Sequence, residues 1–296
     1  MSRRAAAVWC VVVCAVVAIS AQPLRAADTT FDSAGVPIRY LDTGREAGEL
    51  VVLIHGFAVS IETQWAPVIA ALKDEYRVIA LDCRGHGRSG KPHDPAKYGL
   101  EMVADVARLL DHLQIERAQI VGYSMGAVIA LDFAVHYPQR AQSIVLGGSG
   151  GADRSQERLV LDLADSLEKG EGLGPLVTAL TPDGRPKPPE ATIKLINAAV
   201  LSVNDPLALA AAARGAAGDH GLFASDAEIE TVRAPVLAIM GSDDPLHGSI
   251  ERLKRLLPAA KVVLIKKADH MTAWTRPEFM TELRAFLEAN RQHAER

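Results

Sequence analysis

The sequence predicts an α/β fold: a mostly parallel central sheet with helices on both faces and a helical insertion set into it. Three observations carry this. Largely apolar runs of strand length, among them Leu50 to Ile54, Arg77 to Leu81 and Ala118 to Val121, alternate with amphipathic stretches of helical period. One of these runs ends in Gly122-Tyr123-Ser124-Met125-Gly126 and passes directly into a helix-like segment, Ala127 to His136. From Ala152 to Val232 the pattern changes to alanine-rich, helix-like sequence without a buried strand.

In chain order, Val36 to Asp42 alternates weakly and reads as an edge strand. Leu50 to Ile54 reads as a strand covered on both faces and ends at His55-Gly56-Phe57. Glu62 to Lys73 has helical spacing, with Trp65, Val68, Ile69 and Leu72 on one side. Arg77 to Leu81 is the next buried strand, followed by a glycine-rich loop from Asp82 to Gly90 and an amphipathic helix from Leu100 to Leu113. After the Ser124 strand and helix comes a strand at Ser143 to Leu146, closed by Gly147-Gly148-Ser149-Gly150-Gly151. Val236 to Met240 and Lys261 to Ile265 are expected as the last two buried strands, and Glu278 to Ala289 as the closing helix.

This divides the chain into a leader over 1–27, a first core part over 28–151, a cap over 152–232 and a second core part over 233–296. The cap is broken at Thr181 to Pro189 by prolines and a glycine, and is expected to lie over the C-terminal edge of the sheet, where open α/β folds bind ligands. The leader has Arg3 and Arg4 before an uncharged apolar run, Ala5 to Ile19, with small residues at Ser20, Ala21, Ala26 and Ala27. That is the form of an export signal, cut after Ala21 or near Ala26, with a periplasmic or secreted product expected; an uncleaved anchor is the alternative. After cleavage Cys83 is the only cysteine, so no internal disulfide is expected.

The 296 residues carry a formal net charge of −4, which directs the chain toward neither nucleic acid nor an acidic substrate. No Cys, His and Asp cluster has metal-ligand spacing and no phosphate loop is present, so neither metal nor cofactor is expected.

The chemistry centres on Ser124. A serine on a sharp strand-to-helix turn needs small neighbours, which Gly122 and Gly126 supply, and it stands at a helix N-terminus that favours developing negative charge. Acyl transfer by serine further needs a base, an acid to orient it and donors for the oxyanion. His270, just past the last strand, is the candidate base; Asp243 and Asp244, directly after the preceding strand, are the candidate acids. The loop after Leu146 is another place for an acid, but it offers only Gly, Ser and Ala before Asp153. Pro245 biases Asp244 away from helical backbone angles and so helps fix its direction.

On these residues, together with His55-Gly56-Phe57 and the Asp82 to Ser89 loop, the chain resembles the α/β-hydrolase superfamily, in its esterase, C–C hydrolase and haloperoxidase-like branch. The resemblance spans nearly the whole mature chain. It implies Ser124 as nucleophile, Asp244 as acid and His270 as base, with the backbone N–H groups of Phe57 and Met125 as the oxyanion hole. The expected activity is hydrolysis of a small carboxylic ester through an acyl-enzyme, with C–C or amide hydrolysis, perhydrolysis or a purely binding role as alternatives. Asp269 stands where relatives often have Gly, and Ala58-Val59-Ser60 where they often have Pro or Gly. His86 and Arg88 are given no catalytic role, the family's loop being mainly structural.

Overall fold

A computed structural model describes residues 27–45 and 49–291. Residues 1–26, which hold nearly all of the expected leader, lie outside the described residues; Ala27, the last residue assigned to it, is the first of a strand.

The strands are β1 (Ala27–Ser33), β2 (Val36–Asp42), β3 (Leu50–Ile54), β4 (Arg77–Leu81), β5 (Ala118–Tyr123), β6 (Ala141–Gly147), β7 (Val236–Gly241) and β8 (Lys261–Ile265). They form one sheet in the order β1-β2-β4-β3-β5-β6-β7-β8. β2 pairs antiparallel with both β1 and β4, and every pairing from β4 to β8 is parallel. Parallel strands share a C-terminal edge, so the loops after β3, β5, β7 and β8 emerge side by side.

Helices α1 (Ala66–Leu72) and α10 (Pro277–Ala289) cover one face; α2 (Leu100–His112), α3 (Met125–His136) and α9 (Gly248–Leu256) cover the other. Strand alternation sorts the core accordingly. Val52, Ile54, Ile120 and Ile144 pack toward α2 and α3, whereas Val51, Leu53, Val121 and Val145 pack toward α1 and α10. Between β6 and β7 stand α4 (Glu157–Glu168), α5 (Gly174–Ala179), α6 (Glu190–Leu201), α7 (Pro206–Ala217) and α8 (Asp226–Ile229), with no strand among them. Leu163 and Leu167 of α4 join Leu173, Leu209 and Ala210 in a third apolar cluster that reaches down to Ala58.

The structure departs from the sequence reading in five places. Val36 to Asp42, expected at an edge, lies inside the sheet as β2, because β1 pairs along its outer side. β1 was hidden by its polar alternation and by its place beside the leader; it is joined to β2 through Ala34 and Gly35, both at positive φ, the backbone of a tight hairpin turn. The helix expected over Glu62 to Lys73 begins instead with a wide turn, Ile61–Trp65, capped by Ser60, before α1. β8 is an edge strand and not a buried one, with Leu264 52% exposed. Finally, α9 carries the crossover from β7 to β8, where no helix was read.

Candidate active site

Ser124 sits between β5 and α3 at φ 56° and ψ −116°, a backbone conformation that a side chain rarely adopts. The flanking glycines make it possible. A Cβ on Gly122 would lie 1.9 Å from the Gly126 carbonyl oxygen, and one on Gly126 would lie 2.0 Å from that of Ile54. Ser124 donates its own N–H to Gly147 O at 2.8 Å, which ties the turn to β6.

His270 follows β8, with its ring buried and its carbonyl accepting the Tyr123 hydroxyl at 2.6 Å. Its Nε2 lies 3.0 Å from Ser124 Oγ, and its Nδ1 lies 2.9 Å from Asp244 Oδ2. The other Asp244 oxygen accepts the Leu246 N–H at 2.9 Å, so the carboxylate is held from both sides. Pro245 opens the short turn that this cap stabilises. Asp243 points elsewhere: its carboxylate accepts the Ser242 hydroxyl at 2.8 Å and lies 3.6 Å from Arg185. Burial pushes the Tyr123 hydroxyl well above its ordinary pKa, and the Asp244 and Asp269 charges add to this, so Tyr123 serves the site as a neutral donor.

The loop after β3 lies against the nucleophile: a Cβ on Gly56 would stand 3.4 Å from Ser124 Cβ. It is held by side chains buried beneath it. Gln64 Oε1 accepts the Gly56 N–H at 2.7 Å, His55 Nε2 accepts the Cys83 N–H at 3.0 Å, and Asp82 Oδ1 accepts the Ile61 N–H at 2.9 Å. Burial alone would raise the Asp82 pKa; the His55 ring, the Arg88 and Ile61 amides and Arg39 outweigh it and hold Asp82 below the usual carboxylate range. Ala58 takes φ 59°, so the loop keeps a left-handed turn at a position where relatives often carry glycine or proline. Phe57 is half-buried and packs edge-on to His86 at 5.3 Å. Met125 is the first residue of α3, where the N–H has no carbonyl one turn back to bind.

Asp269, adjacent to His270, does not face open solvent. Its carboxylate accepts the Thr272 N–H and hydroxyl at 3.0 and 2.7 Å and lies 3.1 Å from Arg185 of the insertion. Arg185 thereby spans the two acidic neighbours of Asp244 and His270.

A cavity of about 830 Å³ opens over Ser124 and His270, roofed by Leu176, Val177 and Val200 of the insertion. Arg88, given no role from sequence, lines it, as do Asn204, Met271 and Trp274, which the sequence reading passed over. Met271 and Trp274 were within reach of sequence reasoning because they follow His270 directly. Phe223, the insertion's one aromatic residue, packs instead against the apolar core that α2, α3 and α9 share.

The fold and this set of converging loops define an α/β hydrolase. A family model described as alpha/beta hydrolase fold matches residues 49–169. A 2-hydroxy-6-oxo-6-(2'-aminophenyl)hexa-2,4-dienoic acid hydrolase of Metapseudomonas resinovorans is 32% identical over 231 residues, 72% of this chain and 73% of its own. A 3-oxoadipate enol-lactonase of Acinetobacter baylyi is 28% identical over 224 residues, 73% of this chain and 79% of its own. Among solved structures, a membrane phospholipase A superposes with a TM-score of 0.69 at 26% identity, covering 97% of this chain and 93% of that one. The chain belongs to the α/β-hydrolase family.

Proposed function

We propose that the protein is a serine hydrolase that cleaves a carboxylic ester through an acyl-enzyme. One observation carries this: Asp244, His270 and Ser124 form a continuous hydrogen-bonded line of 2.9 and 3.0 Å at the floor of a cavity. In the forward step His270 Nε2 takes the Ser124 proton as Oγ attacks the ester carbonyl. The Asp244 carboxylate holds the proton on Nδ1 and stabilises the imidazolium. The negative charge that develops on the carbonyl oxygen falls to the amides of Phe57 and Met125, the Ser124 amide being committed to Gly147. His270 then returns the proton to the leaving alcohol, and water repeats the sequence to release the acid. The insertion 152–232 acts as a cap that shapes the cavity and supplies no reacting group.

A fluorophosphonate probe tests the reading: it labels Ser124 in the wild-type protein and leaves Ser124→Ala unlabelled. Ser124→Ala loses ester turnover by about 10³-fold or more while its circular dichroism is unchanged. Absence of labelling and of turnover in the wild type would leave a binding role. The name of the Metapseudomonas resinovorans relative supports a second reading, C–C hydrolysis at the same serine, so a 2-hydroxy-6-oxo-dienoic acid belongs beside the esters in the assay.

We also propose that the protein is exported and that its mature form begins between Ala21 and Asp28. N-terminal sequencing of the exported product checks this; a membrane-bound product starting near Met1 means an anchor.

A further inference from the structure

The cavity over Ser124 has two ends of different chemistry. Toward His270 its wall is apolar: Leu180 comes down from α5, and Met271 and Trp274 follow the histidine. The strap from Thr181 to Pro189 follows Leu180 directly, and Arg185 fastens it to Asp269. Away from His270, beyond the loop after β3, the lining turns polar, with Ser60, Glu62, Arg88 and Asn204. This end is open, since the Arg88 side chain is 65% exposed and Val203 67% exposed.

Asn204 adds a second, independent observation. The residue is more than nine-tenths buried, and its Nδ2 donates both hydrogens, to Ala58 O at 3.1 Å and Val200 O at 2.9 Å. Two carbonyl acceptors fix the orientation of the amide, because its oxygen has no proton to offer them. The remaining atom, Oδ1, is buried without a hydrogen-bond partner. A buried amide oxygen left unpaired is destabilising unless a donor reaches it. Asn204 lines the cavity, so a ligand is placed to bring that donor.

Resting on the hydrolase reading above, we propose that the substrate is an acyl ester of a polyol. Its long acyl chain lies against the apolar end, and a hydroxyl of its alcohol donates to Asn204 Oδ1 at the open end. The two halves of the reaction fit this direction. The acyl group stays bonded to Ser124 Oγ while water arrives, so an apolar wall that holds it serves the second step. The alcohol takes the proton from His270 and leaves through the exposed side, past Arg88.

The test compares esters in solution below their aggregation concentrations. For 2,3-dihydroxypropyl esters, kcat/KM rises from acetate to octanoate by at least about 100-fold, each buried methylene contributing up to roughly fourfold. For octanoates, the 2,3-dihydroxypropyl ester exceeds the propyl ester by at least about fivefold, the worth of one buried hydrogen bond. In Asn204→Leu the second ratio falls to near one and the first persists, because loss of the Ala58 contact slows both members of each pair alike. In Val177→Trp, which narrows the roof, the first ratio collapses and the second persists. A flat chain-length profile overturns the proposal. So does a wild-type dihydroxypropyl-to-propyl ratio near one, or a preference seen only when the hydroxyls are on the acyl side. A Ser124 that is labelled by fluorophosphonate while these ratios are flat removes the polyol ester and keeps the hydrolase; an unlabelled Ser124 with no ester turned over removes both.

Discussion

Asp243 and Asp244 are neighbours in one loop, yet only Asp244 meets His270. Successive side chains of an extended segment diverge, so the imidazole can be served by one of them. Asp244→Asn leaves the cap to Leu246 in place but offers Nδ1 a donor or a neutral acceptor in place of a carboxylate. By analogy with the serine-protease triad, turnover falls by about 10⁴. Asp243→Asn touches only Ser242 and Arg185, at a half-exposed site, and costs less than about threefold, since solvent and salt screen a charge there. Both variants are assayed at one pH on one ester, with folding followed by circular dichroism. If Asp243→Asn is the crippled one, the hydrogen-bonded line described above is not the working one. These residues were legible because each lies within a few positions of a strand end. The residues lining the cavity from the insertion were not, because Val200 sits on a helix, and Asn204 just past it, whose orientation no local pattern encodes.

At the scale of elements, the strap between α5 and α6 is tied to the core by Arg185, which lies 3.1 Å from Asp269 and 3.6 Å from Asp243. The pair is half-exposed, so it adds only about 0.2–1 kcal/mol to stability. Its larger effect is on geometry, because Leu180 is carried on the same strap. Arg185→Ala is expected to lower Tm little, to raise KM for long-chain esters by about three- to tenfold and to change kcat less than twofold; Arg185→Lys restores part of the KM. A kcat that falls as far as kcat/KM does would instead make the arginine part of the transition state. The buried parallel strands were plain in the sequence, since a short, continuous run of Val, Ile and Leu suits a strand covered by helices on both faces. β1 was not, because its exposed positions carry Thr29, Thr30 and Asp32 and its buried side holds polar Ser33 beside Phe31. α9 was missed because its apolar residues, Ile250, Leu253 and Leu256, are few among charges, although their spacing is helical and each is buried.

Across the whole molecule, buried titratable groups away from Ser124 set how stability depends on pH. Asp132, on α3 beneath the nucleophile, has its pKa raised to about 8, chiefly by burial and further by the Glu228 charge, against the opposing Arg252. Its Oδ2 has no hydrogen-bond partner. His86 is lowered to about 3, chiefly by burial, and buried His55 is lowered in the same sense. The signs are opposite. As pH rises from about 4 toward about 8, the unfolded chain sheds the Asp132 proton that the folded chain keeps, so stability falls with pH. As pH drops from about 6.5 toward about 3, the unfolded chain takes up a His86 proton that the folded chain refuses, so stability falls with acid. Between about 4 and 6.5 the Asp132 and His86 slopes oppose each other, and His55 adds to the side of His86. Below about 4, Asp82, held under the usual range, adds to the acid loss as it gains a proton. Above about 6.5 the histidine slopes end and the Asp132 slope remains. Asp132→Asn removes that slope, so its unfolding free energy gains on the wild type by roughly 3 kcal/mol between pH 5 and pH 8. Urea titrations of both proteins at half-unit steps read the difference directly, and any fixed cost of burying the new amide cancels from it. Two curves that run parallel from pH 5 to pH 8 would mean that Asp132 ionises in the folded state much as it does in water, and that its charge on the nucleophile helix has a partner.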